Sequence, residues 1–291
     1  MHIQIENLHK KYGAKSTALR EIDLEINGGV FGLLGRNGAG KTTLMRILAT
    51  AVKPTSGRIL FDGKELWAHT KEFRAQLGYL PQTTALMPSM NVYEFLDYVC
   101  LLKRITKKSD RLDEIDRCVH IVGLENETKK SLSKYSGGML RRAGIAQALI
   151  GSPSLLIIDE PTTGLDPEER LHFLNLLSQI SRTQTTLLST HIIHDIESIC
   201  PNICVLDNGN VVYTGATADM IARVEGSVWQ TVCAPGEEQS LKENAAVVSV
   251  KYAEGKPIVR YISDHAVCNQ SARVQATLED AYIYALGGVK R

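Results

Sequence analysis

One short segment of the chain combines glycines with a lysine and a threonine in a spacing suited to binding phosphate. Residues 35–42 are Gly-Arg-Asn-Gly-Ala-Gly-Lys-Thr, and they follow the apolar residues 30–34. Small residues let the backbone curve until its N–H groups converge on phosphate oxygens, and a following helix adds the dipole of its N-terminus. Lys41 can reach the β- and γ-phosphates, and the hydroxyl of Thr42 can bind Mg²⁺. The sequence therefore predicts a strand, a phosphate-binding loop and a helix over 43–48, with ligand contacts from Gly35, Asn37, Gly38, Ala39, Gly40, Lys41, Thr42 and Thr43.

Two adjacent acids, Asp159 and Glu160, end a second apolar stretch at residues 155–158. The carboxyl ends of parallel strands form the crevice in which α/β proteins bind ligands. Asp159 is suited there to hold Mg²⁺ or its water, and Glu160 to polarise a water molecule for in-line attack on the γ-phosphate. Alone, the two acids would also fit a strand that ends in solvent. Together with the loop at 35–42, they favour nucleotide hydrolysis.

Ser136, Gly137 and Gly138 offer a second possible anion site, because they precede a helical stretch expected to run to Ile150 and to stop at Gly151. Backbone N–H groups at a helix N-terminus attract anions. Since the chain already has one phosphate-binding loop, the simplest use of a second is a nucleotide held by another chain. An ordinary N-cap serine is the alternative.

With these motifs in this order, the chain resembles the nucleotide-binding subunit of ATP-binding cassette (ABC) transporters over about residues 1–225. The resemblance implies that Tyr12 stacks on adenine and that His191 contacts the γ-phosphate as a switch. Gln82, which ends the Tyr-Leu-Pro-Gln segment 79–82, would sense Mg²⁺ and the γ-phosphate and face a transmembrane partner.

Two further segments take their roles from the same resemblance. Asp166 lies in a Gly-Leu-Asp-Pro loop that would cross a dimer interface, and Ser136-Gly137-Gly138 matches the family signature. Position 139 is Met where the common signature has Gln, and with Arg141-Arg142 this is similar to the ABC-2-type exporter branch. The family implies ATP and Mg²⁺ as ligands, and a separate transmembrane permease subunit and a second nucleotide-binding domain as partners.

The charge balance and length weigh against other functions. The chain has 33 Lys and Arg against 32 Asp and Glu, so the net charge is only +1, and no nucleic-acid partner is expected. A soluble ABC-type ATPase acting on the ribosome or DNA is the alternative, but such proteins usually carry two cassettes or a long coiled coil. A GTPase lacks support because no Asn-Lys-x-Asp motif is present. A non-catalytic binding module is disfavoured because Lys41, Asp159, Glu160 and His191 occur together.

The remaining sequence predicts the elements that position these residues. Alternating apolar residues over 1–27 predict an antiparallel N-terminal sheet, whereas continuous apolar runs at 30–34, 155–158, 186–189 and 204–206 predict parallel strands covered on both faces. Asn208-Gly209 predicts a tight hairpin. Asn91 with Glu94 predicts a capped helix through Leu102. Ser109 predicts the start of another, with Leu112, Ile115, Cys118, Val119 and Val122 on its buried face and Gly123 past its end.

We therefore predict an α/β fold of the P-loop NTPase, ABC-cassette type: a parallel-sheet core, an antiparallel N-terminal β subdomain, a helical subdomain at about 83–150 and a small C-terminal α+β appendix. The ATP-binding domain would span 1–226 and the extension 227–291. Strands are expected at 227–233, 246–252 and 258–262, and Thr277 would cap a last helix through Leu286, stopped by Gly287-Gly288.

The sequence also bears on location. No apolar run approaches the roughly 18 residues that cross a bilayer, and residues 1–6 lack the basic-then-apolar pattern of an export signal. The six scattered cysteines are expected to stay reduced. We expect a peripheral protein on the cytoplasmic side of the cell membrane. The partner contacts would come from Leu86, Met87, Met90, Val92 and Phe95, although internal packing is slightly favoured for Val92 and Phe95.

Overall fold

The structure, a computed structural model, describes residues 1–13, 16–83, 86–233, 241, 245–268 and 270–287. Its N-terminal part is an antiparallel sheet in the order β2-β1-β4-β5. These strands are β1 (His2–Tyr12), β2 (Ser16–Asn27), β4 (Ser56–Phe61) and β5 (Lys64–Glu65). Ile3 and Ile5 on β1 are buried and lie opposite Ile26 and Leu24 on β2, as their alternation predicts.

A six-stranded sheet in the order β10-β9-β3-β8-β7-β6 forms the centre. Its strands are β3 (Val30–Leu34), β6 (Leu77–Leu80), β7 (Leu155–Asp159), β8 (Thr185–Thr190), β9 (Asn202–Asp207) and β10 (Asn210–Ala216). All neighbours run parallel except β10, which pairs antiparallel with β9. The predicted parallel core beside antiparallel N-terminal strands is confirmed.

The turn between β9 and β10 is the predicted hairpin. Asn208 and Gly209 both have positive φ, 48° and 80°. Two such residues in succession make the tight turn whose twist matches that of the flanking strands.

Two apolar cores lie on opposite faces of the central sheet, because successive side chains of a strand point to opposite faces. One face packs on helix α1 (Lys41–Leu48) and the antiparallel sheet; the other packs on the remaining large helices. The first set includes Leu33, Leu155, Ile157, Leu187 and Cys204, and the second Leu34, Leu156, Ile158, Leu188 and Val205. Burying each large aliphatic side chain stabilises the fold by about 1.5–3 kcal/mol. The two cores therefore hold the strands, and with them the strand ends, in place.

Three α-helices are described between β6 and β7 in the chain: α3 (Val92–Leu102), α4 (Lys108–Ile121) and α5 (Gly137–Leu149). Asn91 and Glu94 form the predicted capping box. The prediction for α4 was partly wrong. The helix begins at Lys108 rather than Ser109, and Leu112 is 42% exposed, while Ile115, Cys118, Val119 and Val122 are buried as predicted. α5 ends one residue before Ile150, which is its C-cap.

Four more α-helices, three of them short, are described in this part of the chain. They are α2 (Thr70–Ala75), α6 (Pro167–Ile180), α7 (Ile193–Ile199) and α8 (Thr217–Ala222). Throughout the described ranges, no helix is both long enough and apolar enough to cross a membrane.

The C-terminal part forms its own antiparallel sheet in the order β12-β13-β11-β14. The strands are β11 (Val228–Val232), β12 (Ala246–Ala253), β13 (Lys256–Ile262) and β14 (Ala272–Arg273), followed by α9 (Leu278–Ala285). Thr277 caps α9 as predicted, and Gly287 follows it with φ 78°. Gly288 lies outside the described residues. α9 joins the apolar core beside α7, and the domain boundary at 226 stays a prediction.

Candidate functional site

The loop between β3 and α1 is shaped by close backbone contacts at its glycines. A Cβ on Gly35 would lie 2.4 Å from the carbonyl oxygen of Leu206, and one on Gly40 2.7 Å from that of Ala18. Gly40 also has φ 108°, which L side chains rarely adopt. α1 begins directly at Lys41, two residues earlier than predicted, and no side chain caps it. Its first backbone N–H groups are therefore free for an anion.

Lys41 is only 4% exposed and is held by this loop and by one acid. Its Nζ donates to the carbonyl oxygen of Gly35 at 2.7 Å and to that of Arg36 at 3.2 Å. The same nitrogen lies 3.2 Å from Oε1 of Glu160. A buried ammonium needs such partners, because desolvation without them is costly.

Asp159 ends β7 and is completely buried. Its Oδ1 accepts hydrogen bonds from Ser189 Oγ at 2.5 Å and from Thr42 Oγ1 at 3.4 Å. Burial raises the pKa of this carboxyl, and these two hydroxyls only partly oppose the rise. Its Oδ2, also buried, accepts no hydrogen bond from the described residues. A buried carboxylate oxygen without a partner, next to a threonine hydroxyl, suits a hard cation.

Glu160 directly follows Asp159 and is 4% exposed. Its backbone has φ 48°, and its N–H donates to the carbonyl oxygen of Ser189 at 3.0 Å. Its Oε2 is 2.7 Å from Nδ1 of His191 and accepts from Thr163 Oγ1 at 3.2 Å. The parallel pairing of β7 with β8, in which Asp159 lies opposite Ser189, brings these two loops together.

The structure thus joins Lys41, Glu160 and His191 in one chain of contacts. Lys41 holds one carboxylate oxygen of Glu160 and His191 the other. The side chain of His191 is 39% exposed, so its far edge is open to a ligand.

Gln82, two residues past β6, is exposed. Arg141 on α5 donates to its carbonyl oxygen at 2.9 Å and to that of Glu160 at 3.2 Å. Burial lowers the pKa of this guanidinium. The sequence alone does not indicate this role of Arg141, because its partners lie 59 and 19 positions away and come close only in the folded chain.

Tyr12 lies at the end of β1 and is 44% exposed, with Lys10 Nζ 5.0 Å from its ring centre. It pairs with Ser16, two residues before Ala18, whose carbonyl oxygen packs against Gly40. The ring therefore lies on the strand pair that flanks the phosphate-binding loop, where an aromatic face is available for stacking.

The second predicted anion site lies elsewhere. Ser136 is exposed and caps α5, accepting from the N–H of Met139 at 3.2 Å, and a Cβ on Gly138 would lie 2.2 Å from Oε1 of Glu169. Asp166 caps α6 by accepting from the N–H of Glu169 at 2.8 Å. Over the described residues, no hydrogen bond or ion pair joins Ser136, Gly137 or Gly138 to the loop 35–42. Within the described part of the chain, the two predicted anion sites are therefore not bonded to each other.

Comparison with known proteins agrees with this arrangement. The sequence profile described as ABC transporter matches residues 19–163. The chain is 32% identical to the Nod factor export ATP-binding protein I of Paraburkholderia xenovorans, covering 98% of this chain and 97% of that protein. It is 41% identical to the methionine import ATP-binding protein MetN 2 of Yersinia pestis, covering 76% of this chain and 70% of that protein.

A solved structure with the same fold is that of CbiO1 from Clostridium perfringens, described as part of the ABC transporter complex CbiONQ. It superposes with a TM-score of 0.69 at 30% sequence identity, over 76% of this chain and 90% of that one. The predicted cassette-type fold is confirmed. The chain belongs to the ABC transporter family, as one of its ATP-binding, ATP-hydrolysing subunits.

Proposed function

We propose that this chain powers an exporter by hydrolysing ATP with Mg²⁺ at the site built from residues 35–42, Asp159, Glu160 and His191. It acts as a peripheral protein on the cytoplasmic side of the membrane, with a separate transmembrane permease and a second nucleotide-binding domain. The observation that carries the catalytic part is the Lys41–Glu160–His191 chain of contacts beside Oδ2 of Asp159, which accepts no hydrogen bond within the described residues.

The phosphate-binding role rests on the N–H groups at the start of α1 and on Lys41. When the substrate's phosphates enter, Lys41 exchanges the carbonyl oxygens of the loop and Oε1 of Glu160 for phosphate oxygens. Oε1 is then free to accept a proton from a water molecule, while His191 and Thr163 keep Oε2 in place. Tyr12 stacks on the adenine ring.

Thr42 and Asp159 are the residues that would hold Mg²⁺, with Gln82 close to it. The buried Oδ2 of Asp159 accepts no hydrogen bond within the described ranges, and Oδ1 already receives Ser189 and Thr42, so the set fits a cation bound directly or through water. When bound, Mg²⁺ supplies charge that neutralises phosphate oxygens. The chain's own part is to orient Asp159 through the hydroxyls of Ser189 and Thr42.

A second chain supplies the other half of the nucleotide site. Ser136 is exposed, and within the described residues no hydrogen bond or ion pair joins it to residues 35–42 of its own chain. This supports a head-to-tail dimer in which Ser136, Gly137 and Gly138 contact the partner's nucleotide. Asp166 lies in the loop that crosses this interface. Closure around the γ-phosphate completes an electrostatic clamp, and its hydrolysis lets the dimer open.

Export is proposed because the exporter relative covers this chain almost entirely, whereas the importer relative covers only 76% of it. Permease contacts are proposed for the segment after Gln82. Leu86, Met87 and Met90 are partly buried, whereas Val92 and Phe95 are 0% and 6% exposed and so serve internal packing.

Glu160→Gln tests the catalytic proposal. We expect ATP binding to remain and steady-state hydrolysis to fall to background, since the amide cannot accept the proton. Lys41→Ala is the matched control and should instead weaken nucleotide binding itself. Normal turnover by Glu160→Gln would contradict the assignment.

The partner proposal is tested with the same variant, captured from its native membranes with ATP, Mg²⁺ and mild detergent. Recovery of a stoichiometric polytopic membrane protein supports the transporter. Recovery of ribosomal or DNA-bound proteins without a membrane protein would favour a soluble ABC-type ATPase.

A further inference from the structure

A buried carboxylate that the proposed mechanism does not use lies four residues after His191. Asp195, in α7, is 1% exposed. Its Oδ1 accepts from Arg170 Nε at 2.6 Å, with Nη2 of the same guanidinium also 2.6 Å away. Its Oδ2 accepts from Thr162 Oγ1 at 2.5 Å. An acid is rarely buried so deeply unless it is paired.

Asp195 and its two partners, Thr162 and Arg170, lie in three segments that each carry a candidate site residue. Thr162 follows Glu160 by two residues and is 2% exposed, and Arg170 lies on α6, one turn after its cap Asp166. Asp195 itself belongs to the helix that begins two residues after His191. The carboxylate therefore links the loop after Glu160, the start of α6 and the segment after His191.

Together with the Glu160–His191 contact, these bonds close a ring. The path runs from Glu160 to Thr162, two positions further along the chain, and across the Thr162 hydroxyl to Asp195. It returns four positions along the chain to His191, whose Nδ1 is 2.7 Å from Glu160. On the sheet side, the same two loops are already held by the pairing of Asp159 with Ser189. A loop fixed at both ends has little freedom to change the distance between its side chains.

We propose that Asp195 is a positioning residue for ATP hydrolysis, which holds His191 against Glu160 through Thr162 and connects both to the loop that carries Asp166. Arg170 pairs with the carboxylate in its buried place, and Thr162 transmits its position to the loop after Glu160. This inference rests on the proposed roles of Glu160 and His191.

A purely structural ion pair would also bury Asp195 with Arg170, so the informative contact is that with Thr162. Thr162→Val keeps the shape of the side chain and the Arg170–Asp195 pair and removes only the hydroxyl. Thr162→Ser restores the hydroxyl and is the matched control. Because a misplacement of about 1 Å can cost up to 100-fold in rate, we expect Thr162→Val to lower kcat about tenfold with KM for ATP within about twofold.

The full-length chain is assayed for ATP hydrolysis, and the imidazole resonances of His191 are followed by NMR, assigned by their loss in His191→Gln. Thr162→Val should lower kcat and shift these resonances, while Thr162→Ser should leave both close to those of the parent chain. A wild-type kcat in Thr162→Val would overturn the proposal. So would a loss of kcat with unshifted His191 resonances and a matching loss of folded protein, since that indicates a structural role alone.

Failure of this inference is distinguishable from failure of the proposed function. If Glu160→Gln hydrolyses ATP normally, the catalytic assignment is wrong whatever Thr162 does. If Glu160→Gln is inactive and Thr162→Val is fully active, the catalytic assignment stands and the positioning role is wrong.

Discussion

Two fully buried aspartates, one at the candidate nucleotide site and one in the C-terminal part, differ in the hydrogen bonds that their carboxylates accept. Asp159 and Asp280 are both 0% exposed. Asp280 receives Arg260 Nε at 2.7 Å, Arg260 Nη2 at 2.6 Å and both the N–H and the hydroxyl of Thr277 at 2.7 Å. Asp159 receives two hydroxyls on one oxygen, and its other oxygen accepts no bond from the described residues.

The pKa values of the two carboxyls follow from this difference. Burial raises both, but at Asp280 the hydrogen bonds and charge of Arg260 and the bonds from Thr277 outweigh it, so the pKa falls below its ordinary 3.8. At Asp159 burial prevails and the pKa rises. A carboxylate that stabilises the fold is fully paired, whereas a carboxylate meant for a ligand is left short of positive charge.

The largest expected effect is on activity, at Asp159. Asp159→Asn should lower Mg²⁺-dependent ATP hydrolysis by about 100- to 1,000-fold, a loss comparable to removing one preorganised charge-stabilising group. The melting temperature should not fall, because a buried charge with a raised pKa is already unfavourable. Hydrolysis over a range of Mg²⁺ concentrations and a thermal melt measure the two quantities.

A clear loss of stability in Asp159→Asn, or hydrolysis within a few-fold of the parent chain, would break the comparison. Ser189→Ala is a useful companion, since it removes one of the two hydrogen bonds to Oδ1 without removing the carboxylate.

The next effect is on stability, in the C-terminal part. Arg260→Met leaves Asp280 buried without its cation, which should lower the free energy of unfolding by about 3–5 kcal/mol. ATP binding should be unchanged. Denaturant unfolding followed by fluorescence, with nucleotide titration on the folded protein, checks both.

The control is the double variant Arg260→Met with Asp280→Asn, whose amide oxygen can still accept from Thr277. Because this variant leaves no unpaired buried charge, it should recover most of the lost stability. If it is as unstable as Arg260→Met, the pair is not the cause.

A smaller effect appears in the pH dependence of stability. Because its folded pKa is lowered, Asp280 contributes stability that is present above pH 3.8 and is lost as the pH falls through its folded pKa. Asp159 has the opposite sign, since its raised pKa makes stability fall as the pH rises from 3.8 through its folded pKa. The free energy of unfolding of Asp280→Asn and of Asp159→Asn is measured from neutral to acidic pH. Its difference from that of the parent chain should change in opposite directions for the two variants.

The sequence carries enough information to predict one of these aspartates and the cap of the other. Asp159 ends an apolar run, which predicts its place at the site. Thr277, three residues before Asp280, is predicted as the cap of the last helix. Such signals are local: spacing, periodicity and caps within a few residues.

What could not be predicted depends on partners far apart in the chain. Ser189 and Asp159 are 30 residues apart, Thr162 and Asp195 are 33, and Arg141 reaches Gln82 across 59. Nothing in the local sequence marks such pairs, because folding alone decides which strand ends meet. The two-residue strand β14 was missed for the same reason, since it exists only by pairing with β11.

The smallest expected effect lies where the two regions meet. Tyr282 on α9 is 8% exposed. Burial raises the pKa of its hydroxyl, and the charge and hydrogen bonds of Arg36 in the loop 35–42 only partly oppose the rise. Removing that hydroxyl in Tyr282→Phe should raise KM for ATP about two- to threefold with kcat unchanged, because losing one hydrogen bond of about 0.5–1.5 kcal/mol loosens the loop before ATP binds. Tyr284→Phe, on the same helix but 40% exposed, is the control and should change neither parameter. Equal effects of the two variants would mean that α9 acts on the loop through general packing. An effect confined to Tyr282→Phe would place the contact between the C-terminal part and the candidate nucleotide site at this one hydroxyl.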